Sequence, residues 1–258
     1  MKTSRIIFYD EPSVPEIDLD NLIKFTHKTI GILPEKRKSI LTYADNDIVQ
    51  EIAACRISKL SVPFKKHNPT IEEIEFEKKN VIDTSVNQNI TYYDGFELQN
   101  VLGKIIPIEE LDENIFHVIF TNKLTCTYDY SDYRYHGRAL IGTNPAMIST
   151  TGIIEAPAKP REYYMELITK SRQGVNIDTL KEKYKGTFLE YHDSRLAIMA
   201  EGYFLQALFY YETQSPFCEN NDCRLFNAHW QKDLLHSQIE SGKLCQKHQE
   251  ILEKLTMT

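Results

Sequence analysis

The chain has 258 residues, 41% hydrophobic and 26% charged, with 30 Lys and Arg against 37 Asp and Glu for a formal net charge of −7. That length can bury a core without covalent staples, and the composition is that of an ordinary globular chain. The acidic balance argues against a nucleic-acid partner, because no basic surplus is available to neutralise phosphates. No apolar run approaches the roughly 20 residues of a membrane span. The first one, at 6–9, meets Asp10, Glu11 and Pro12 too soon for a signal segment.

Residues 5–9 (RIIFY) read as a buried first strand, followed by the turn-rich DEPSVPEID. Leu19, Leu22, Ile23 and Ile30 then fall on one face of a helix. SILTYA (39–44) reads as a second strand, and Asp45 is placed to cap a helix over NDIVQEIAACRISKL. Strand–helix–strand–helix order suggests α/β layering. From Lys65 to about Asn89 the chain turns polar, the alternation in TIEEIEFEKKNVI suggests an exposed strand or hairpin, and residues 65–95 read as an insertion. GFELQNVLGKII (95–106) is helical in pattern, and NIFHVIFTN (114–122) is the strongest buried strand. RALIG and AMIST, within 138–150, read as a strand pair around Gly142, Asn144 and Pro145.

The intervening TYDYSDYRYHG reads as a tyrosine-rich loop, either a peptide-binding rim or an ordinary polar loop. After APAKPRE, helical runs are expected at 161–171 and 177–185. The clearest helix has Asp193 or Ser194 as its N-cap and runs through Leu196, Met199, Ala200, Tyr203, Phe204, Ala207, Leu208 and Tyr211 to a stop at Pro216. There are no internal repeats and no clear linker. Residues 1–258 therefore read as a single α/β domain with a mixed sheet, a long central helix and a C-terminal metal-stapled region at 218–248.

That last feature rests on Cys218-x4-Cys223, then 21 residues, then Cys245-x2-His248. Three thiolates and one imidazole in two chelating pairs are a donor set that zinc prefers. Four protein ligands close the coordination shell and leave no position for an activated water. The expected cofactor is one structural zinc per chain. The competing reading is that these residues are unconnected. His229 and His236 are alternative fourth ligands that share no short chelating turn with a cysteine. Cys55 and Cys126 stand apart as inert core residues, and an odd cysteine count without an export signal points to the reducing cytoplasm.

A long helix ending at a cysteine, a CxxxxC, an apolar residue two positions on (Leu225) and a late Cys-x2-Cys/His together resemble the C-terminal half of archaemetzincins. Those are metallopeptidases of the metzincin type, with the signature HExxHxxGxxH run directly into CxxxxC, then a methionine two residues later, then CxxC. HVIFTNKLTC looks like their penultimate strand and loop, and AMIST resembles the strand over their active-site helix. The likeness covers residues 90–256 loosely and 193–252 with more specificity, and it extends to an archaeal family carried as metallopeptidases.

Aligned on Cys218 and Cys223, the first catalytic histidine falls on Ala207, the glutamate on Leu208 and the second histidine on Tyr211. The glycine falls on Gln214, the third histidine on Phe217 and the methionine on Leu225, while His248 stands where the family has a thiolate. Residues 193–228 contain no histidine in any register. The resemblance therefore implies a metzincin-like domain that keeps the structural zinc and lacks the catalytic one, with the old cleft face packed by apolar residues. Such a relative is expected to be non-catalytic and to take a peptide or protein in the remnant cleft. The alternative is a metallopeptidase, or another metal-dependent hydrolase, with atypical ligands such as His192 and His136. Tyr203, Tyr210 and Tyr211 read as core or cleft-wall aromatics, and Glu201 and Gln206 as solvated or hydrogen-bonded positions. No P-loop, GxGxxG or GxSxG is present.

Overall fold

The structure is a computed structural model that describes residues 1–82 and 90–257. In chain order its first half runs β1 (Arg5–Tyr9), α1 (Leu19–Ile30), β2 (Glu35–Arg37), α2 (Asn46–Ala54), α3 (Ile71–Ile82), β3 (Tyr92–Asp94), α4 (Gly95–Gly103) and β4 (Ile115–Thr121). There follow β5 (Leu124–Asp129), β6 (Arg134–Arg138), β7 (Leu140–Ile141), β8 (Ala146–Ser149), α5 (Thr150–Glu155), α6 (Arg161–Arg172) and α7 (Asp178–Tyr184). The long α8 (Leu196–Thr213), the short α9 (Gln231–Leu235) and α10 (Gln246–Thr256) complete it. The expected elements at 5–9, 19–30, 95–106, 114–122 and 161–185 are all present.

Two mixed sheets organise these elements. The larger has the order β2-β1-β4-β8-β7, parallel except for β7, which runs antiparallel to β8 at one edge. Residues 6–9 and 116–121 are buried without alternation, as parallel strands covered on both faces must be. Ile6, Phe8, Phe116, Val118 and Phe120 meet α8 on one face, where Phe8 lies edge-on to Phe204 at 5.3 Å. Ile7, Tyr9, Ile119 and Met147 pack with Ile52 of α2 and Leu98 of α4 on the other. The smaller sheet has the order β3-β5-β6.

Local chemistry explains most boundaries. Asp18 accepts from the backbone N–H groups of Asp20 and Asn21 at the start of α1, and Gly31 closes that helix at φ 79°. Asp45 caps α2 as expected, accepting from Ile48 N.

Four expectations are corrected. Residues 39–44 form no strand; Ile40–Tyr43 is a 3-10 turn. The alternating run from 71 is helix α3, not a strand, and its start carries a signal that alternation hid. Thr70 and Glu73 form a reciprocal capping box, with Thr70 N donating to Glu73 Oε2 at 2.8 Å and Glu73 N donating to Thr70 Oγ1 at 3.3 Å. Of the stretch 65–95 read as an insertion, residues 83–89 lie outside the described residues. The tyrosine-rich segment is not a loop but the β5–β6 hairpin, with Tyr128 opposite Tyr135. Neither Asp193 nor Ser194 caps α8: Arg195 precedes its first turn, and the Asp193 carboxylate accepts from Arg195 N and from its guanidinium instead.

Glu77 of α3 is 2% exposed, yet it stays charged. Burial alone would raise its pKa, but the Lys123 ammonium and hydrogen bonds from Lys123, Tyr93 and Arg56 hold it below the usual carboxylate range. The Tyr93 hydroxyl donates to it at 2.5 Å and Arg56 at 2.6 Å, so one carboxylate locks α3 onto β3 and the turn before β5.

Candidate metal centre and cleft

Helix α8 is apolar around most of its circumference, so it must be enclosed. Its C-terminus places the metal candidates. Gln214 adopts φ 60° and ends the helix, with its N–H bonded to Tyr210 O at 2.8 Å. The chain then turns through Pro216 to Cys218, whose N–H bonds Leu225 O at 2.8 Å. Asn220 makes the tight turn between the first two cysteines, its side chain accepting from Asp222 N at 3.0 Å and its carbonyl from Cys223 N at 3.0 Å. Arg224 N bonds Lys243 O at 2.9 Å and draws the second half of the cluster alongside. There Cys245 precedes α10, and His248 lies in that helix's first turn, buried edge-on to Phe209 at 5.6 Å.

All four predicted ligands converge: their donor atoms lie within 4.8 Å of one another. Cys218 Sγ is 3.9 Å from Cys245 Sγ, and His248 Nδ1 is 3.7 Å from Cys223 Sγ and 3.1 Å from Cys245 Sγ. Metal–sulfur bonds of about 2.3 Å in a tetrahedron put two sulfurs about 3.8 Å apart, so the donor set fits one ion. Backbone N–H groups of Asn220 and Cys245 point at the sulfurs of Cys218 and Cys223, both at 3.4 Å.

Burial pushes the Cys223 thiol up to about 12, so a bound cation would be needed to make it a thiolate near neutrality. Burial opposes ionisation of Cys245 too, but the His248 and Lys247 N–H groups of the helix start and its neighbouring thiols bring it below the usual thiol value. His236 is no ligand. It is held by Glu240 Oε2 and Asp222 Oδ1, both at 2.7 Å, and those bonds raise its pKa.

Beside this centre lies a cleft of 430 Å³ between the hairpin end, β7 and α8. Its walls include Phe96, Arg138, Leu140, Tyr203, Gln206 and Phe217. The cleft is open. Ala207 and Leu208 are indeed fully buried, but they face the core, and Tyr211 stacks on Phe116 at 4.7 Å while donating to Glu113 O at 2.7 Å. The positions of α8 that look into the cleft are Tyr203, Gln206 and Tyr210. Gln206 donates to Phe226 O at 3.2 Å, and burial raises the Tyr203 phenol pKa. Close approach here requires a glycine: a Cβ on Gly142 would meet the Tyr210 ring.

The remaining candidates lie elsewhere. His192, at φ 62°, bonds Glu16 Oε1 at 3.1 Å on the surface. Glu201 accepts from Arg224 at 3.1 Å, and His229 lies at the cleft mouth. Burial pushes the thiols of Cys55 and Cys126 up to about 12. His136 does meet two carboxylates, of Asp129 and Asp132, with Nε2 at 2.9 Å from both oxygens of Asp132. Alternation across the hairpin brings that trio together, a signal hidden while the segment read as a loop. Among the described residues, no helix is long and apolar enough to cross a membrane.

Comparison with family models gives a match over residues 2–255 to the "Probable metallopeptidase family (DUF6775)". No curated protein and no solved structure matches the chain. A match of that extent places the chain in the family.

Proposed function

We propose that this member of the probable metallopeptidase family is a single-domain, archaemetzincin-like cytoplasmic protein whose C-terminal zinc is structural and whose cleft holds a peptide without hydrolysing it. The donor chemistry of Cys218, Cys223, Cys245 and His248 supports zinc, since three thiolates with an imidazole suit it best and close its shell. Gln214 supports the archaemetzincin register, because it takes the left-handed conformation at the position where that motif carries glycine.

The observation that carries the loss of hydrolysis is the face α8 presents to the cleft. Hydrolysis of a peptide by zinc needs three protein ligands, typically imidazole or carboxylate, an open position and a further carboxylate for the water's proton. The cysteine-anchored register offers Ala207, Leu208, Tyr211 and Phe217, and the cleft-facing pair one residue earlier is Gln206 and Tyr210. Neither set contains an imidazole or a carboxylate. Among the described residues, neither group able to hold a metal includes a residue of α8. A peptide occupant is supported by β7, an edge strand that walls the cleft and can take an added strand along its free side.

Family membership and the Asp129–Asp132–His136 trio favour a second reading, a metal-dependent hydrolase with atypical ligands on the hairpin. Elemental analysis of the purified chain and of Cys218→Ser, together with a peptide-hydrolysis assay, separates the two. One zinc per chain, absent from the variant, with no hydrolysis is the expected result. Two metals, one of them surviving the substitution, would overturn the non-catalytic reading.

A further inference from the structure

We infer that the cleft selects ligands carrying a carboxylate, held by the guanidinium of Arg138; the inference rests on the peptide-cleft reading above. The chain is acidic, with a net charge of −7, yet no Asp, Glu or Lys lines this cavity. Arg138, half-buried in its wall, donates through Nε to Thr127 Oγ1 at 2.7 Å. That bond fixes the plane of the guanidinium, and its two terminal nitrogens have no carboxylate or carbonyl partner among the described residues.

Other polar groups in the wall keep bonding capacity unused. The hydroxyl of Tyr203, a residue 7% exposed, has no hydrogen bond among the described residues, and Gln206 uses only its amide nitrogen. Because these groups reach solvent through the open cleft, a ligand with matching acceptors exchanges their hydration for direct bonds. The complement is a planar anion that accepts two parallel N–H bonds, which is a carboxylate. A phosphate dianion fits less well, because the wall supplies one permanent positive charge and would leave the second negative charge unpaired among apolar side chains.

In a peptide this group is either the C-terminal carboxylate or an acidic side chain, and one experiment distinguishes them. Three mixed hexapeptide pools are offered to the full chain: free C-terminal acids without acidic residues, the same pool amidated, and an amidated pool with glutamate at position three. Bound peptides are separated by gel filtration and identified by mass spectrometry, in parallel for wild type, Arg138→Gln and Arg138→Lys.

The expected result is enrichment of the first or third pool over the neutral amides by roughly ten-fold or more, as a charge-assisted forked bond provides. That preference should be lost in Arg138→Gln and weakened in Arg138→Lys. Enrichment of the first pool assigns the terminal carboxylate, and of the third the side chain. Equal enrichment of all three pools, or a preference unchanged in Arg138→Gln, overturns the carboxylate assignment while leaving the peptide cleft standing. Enrichment of none overturns the cleft reading itself. If Arg138→Gln does not fold, Arg138→Lys takes its place, and a preference undiminished in that variant overturns the assignment.

Discussion

Cys218→Ser removes one donor of the metal centre and with it the cross-link between the segment after α8 and the start of α10. The two cysteines it separates are 27 residues apart in sequence. Treated as a single chain cross-link, closure of such a loop removes about 12 cal/mol/K of unfolded-chain entropy, or about 3.6 kcal/mol at 25 °C. This is well below the order of 10 kcal/mol that an isolated zinc module draws from its ion. The difference is expected, because the C-terminal segment also packs Leu225, Leu234 and Leu252 into the core around α8, so the ion is not its sole anchor.

At roughly 2–4 °C per kcal/mol for a domain of this size, the melting temperature should fall by about 7–15 °C. The assay is thermal melting by circular dichroism, with and without chelator, followed by hydrogen exchange. Chelated wild type should melt with the variant, and exchange should quicken in α10 and residues 218–226 while β1, β4 and β8 stay protected. A variant melting within about 2 °C of wild type, or a wild type indifferent to chelator, would refute the staple.

Three further outcomes follow from other contacts. The Arg37 guanidinium grips Glu110 at 2.6 and 2.7 Å and holds its carboxyl at about 2. A depressed carboxylate stabilises fully above its ordinary value of 4.5 and loses that contribution as pH falls through about 2. Glu110→Gln should therefore cost about 1–2 kcal/mol at pH 7 after solvent screening, and the gap in urea midpoints should narrow steadily below pH 4.5. A gap independent of pH would contradict the pairing. Lys123→Met removes one of the two cations on the buried Glu77 carboxylate, which keeps Arg56 at 2.6 Å, and should destabilise by about 1.5–3 kcal/mol; adding Glu77→Gln should recover part of that loss in a double-mutant cycle. Gly152→Ala places a methyl against the Arg138 carbonyl and the Ala139 Cα, so denaturant melts should show a loss of about 1–3 kcal/mol or more.

The four-residue candidate site was legible in the sequence because chelation imposes spacing: a ligand pair that can bite one ion must be close in the chain, and both pairs were. The buried strands 5–9 and 114–122 were legible because continuous apolar runs bounded by turn residues leave few alternatives. What failed was local alternation. In α3 Ile71 and Ile74 stand three apart while Ile74 and Phe76 alternate, so the apolar pattern fits neither period cleanly, and the Thr70–Glu73 box and the long-range demand of Glu77 for Lys123, Tyr93 and Arg56 decide it. The cleft was half legible. Counting from Cys218 pointed to α8, which walls the cleft, but the face that helix turns to the cleft is set by its packing against Phe8 and Phe116, which spacing does not encode. Arg138 was not singled out because its guanidinium is oriented by Thr127 on the facing strand, eleven residues earlier.

The position of β1 in the sheet has a consequence during synthesis. Ile7 pairs on one side with Glu35 and on the other with His117, so the ribosome delivers one neighbour long before the second. Until β4 emerges, β1 and β2 can form only a two-stranded ribbon. Its strand from Arg5 to Tyr9 is apolar on both faces and open along one edge. Such an edge is a template for any other extended chain, including a second nascent copy. The form of this protein most in need of shielding is therefore not the finished fold but the chain stalled between β2 and β4.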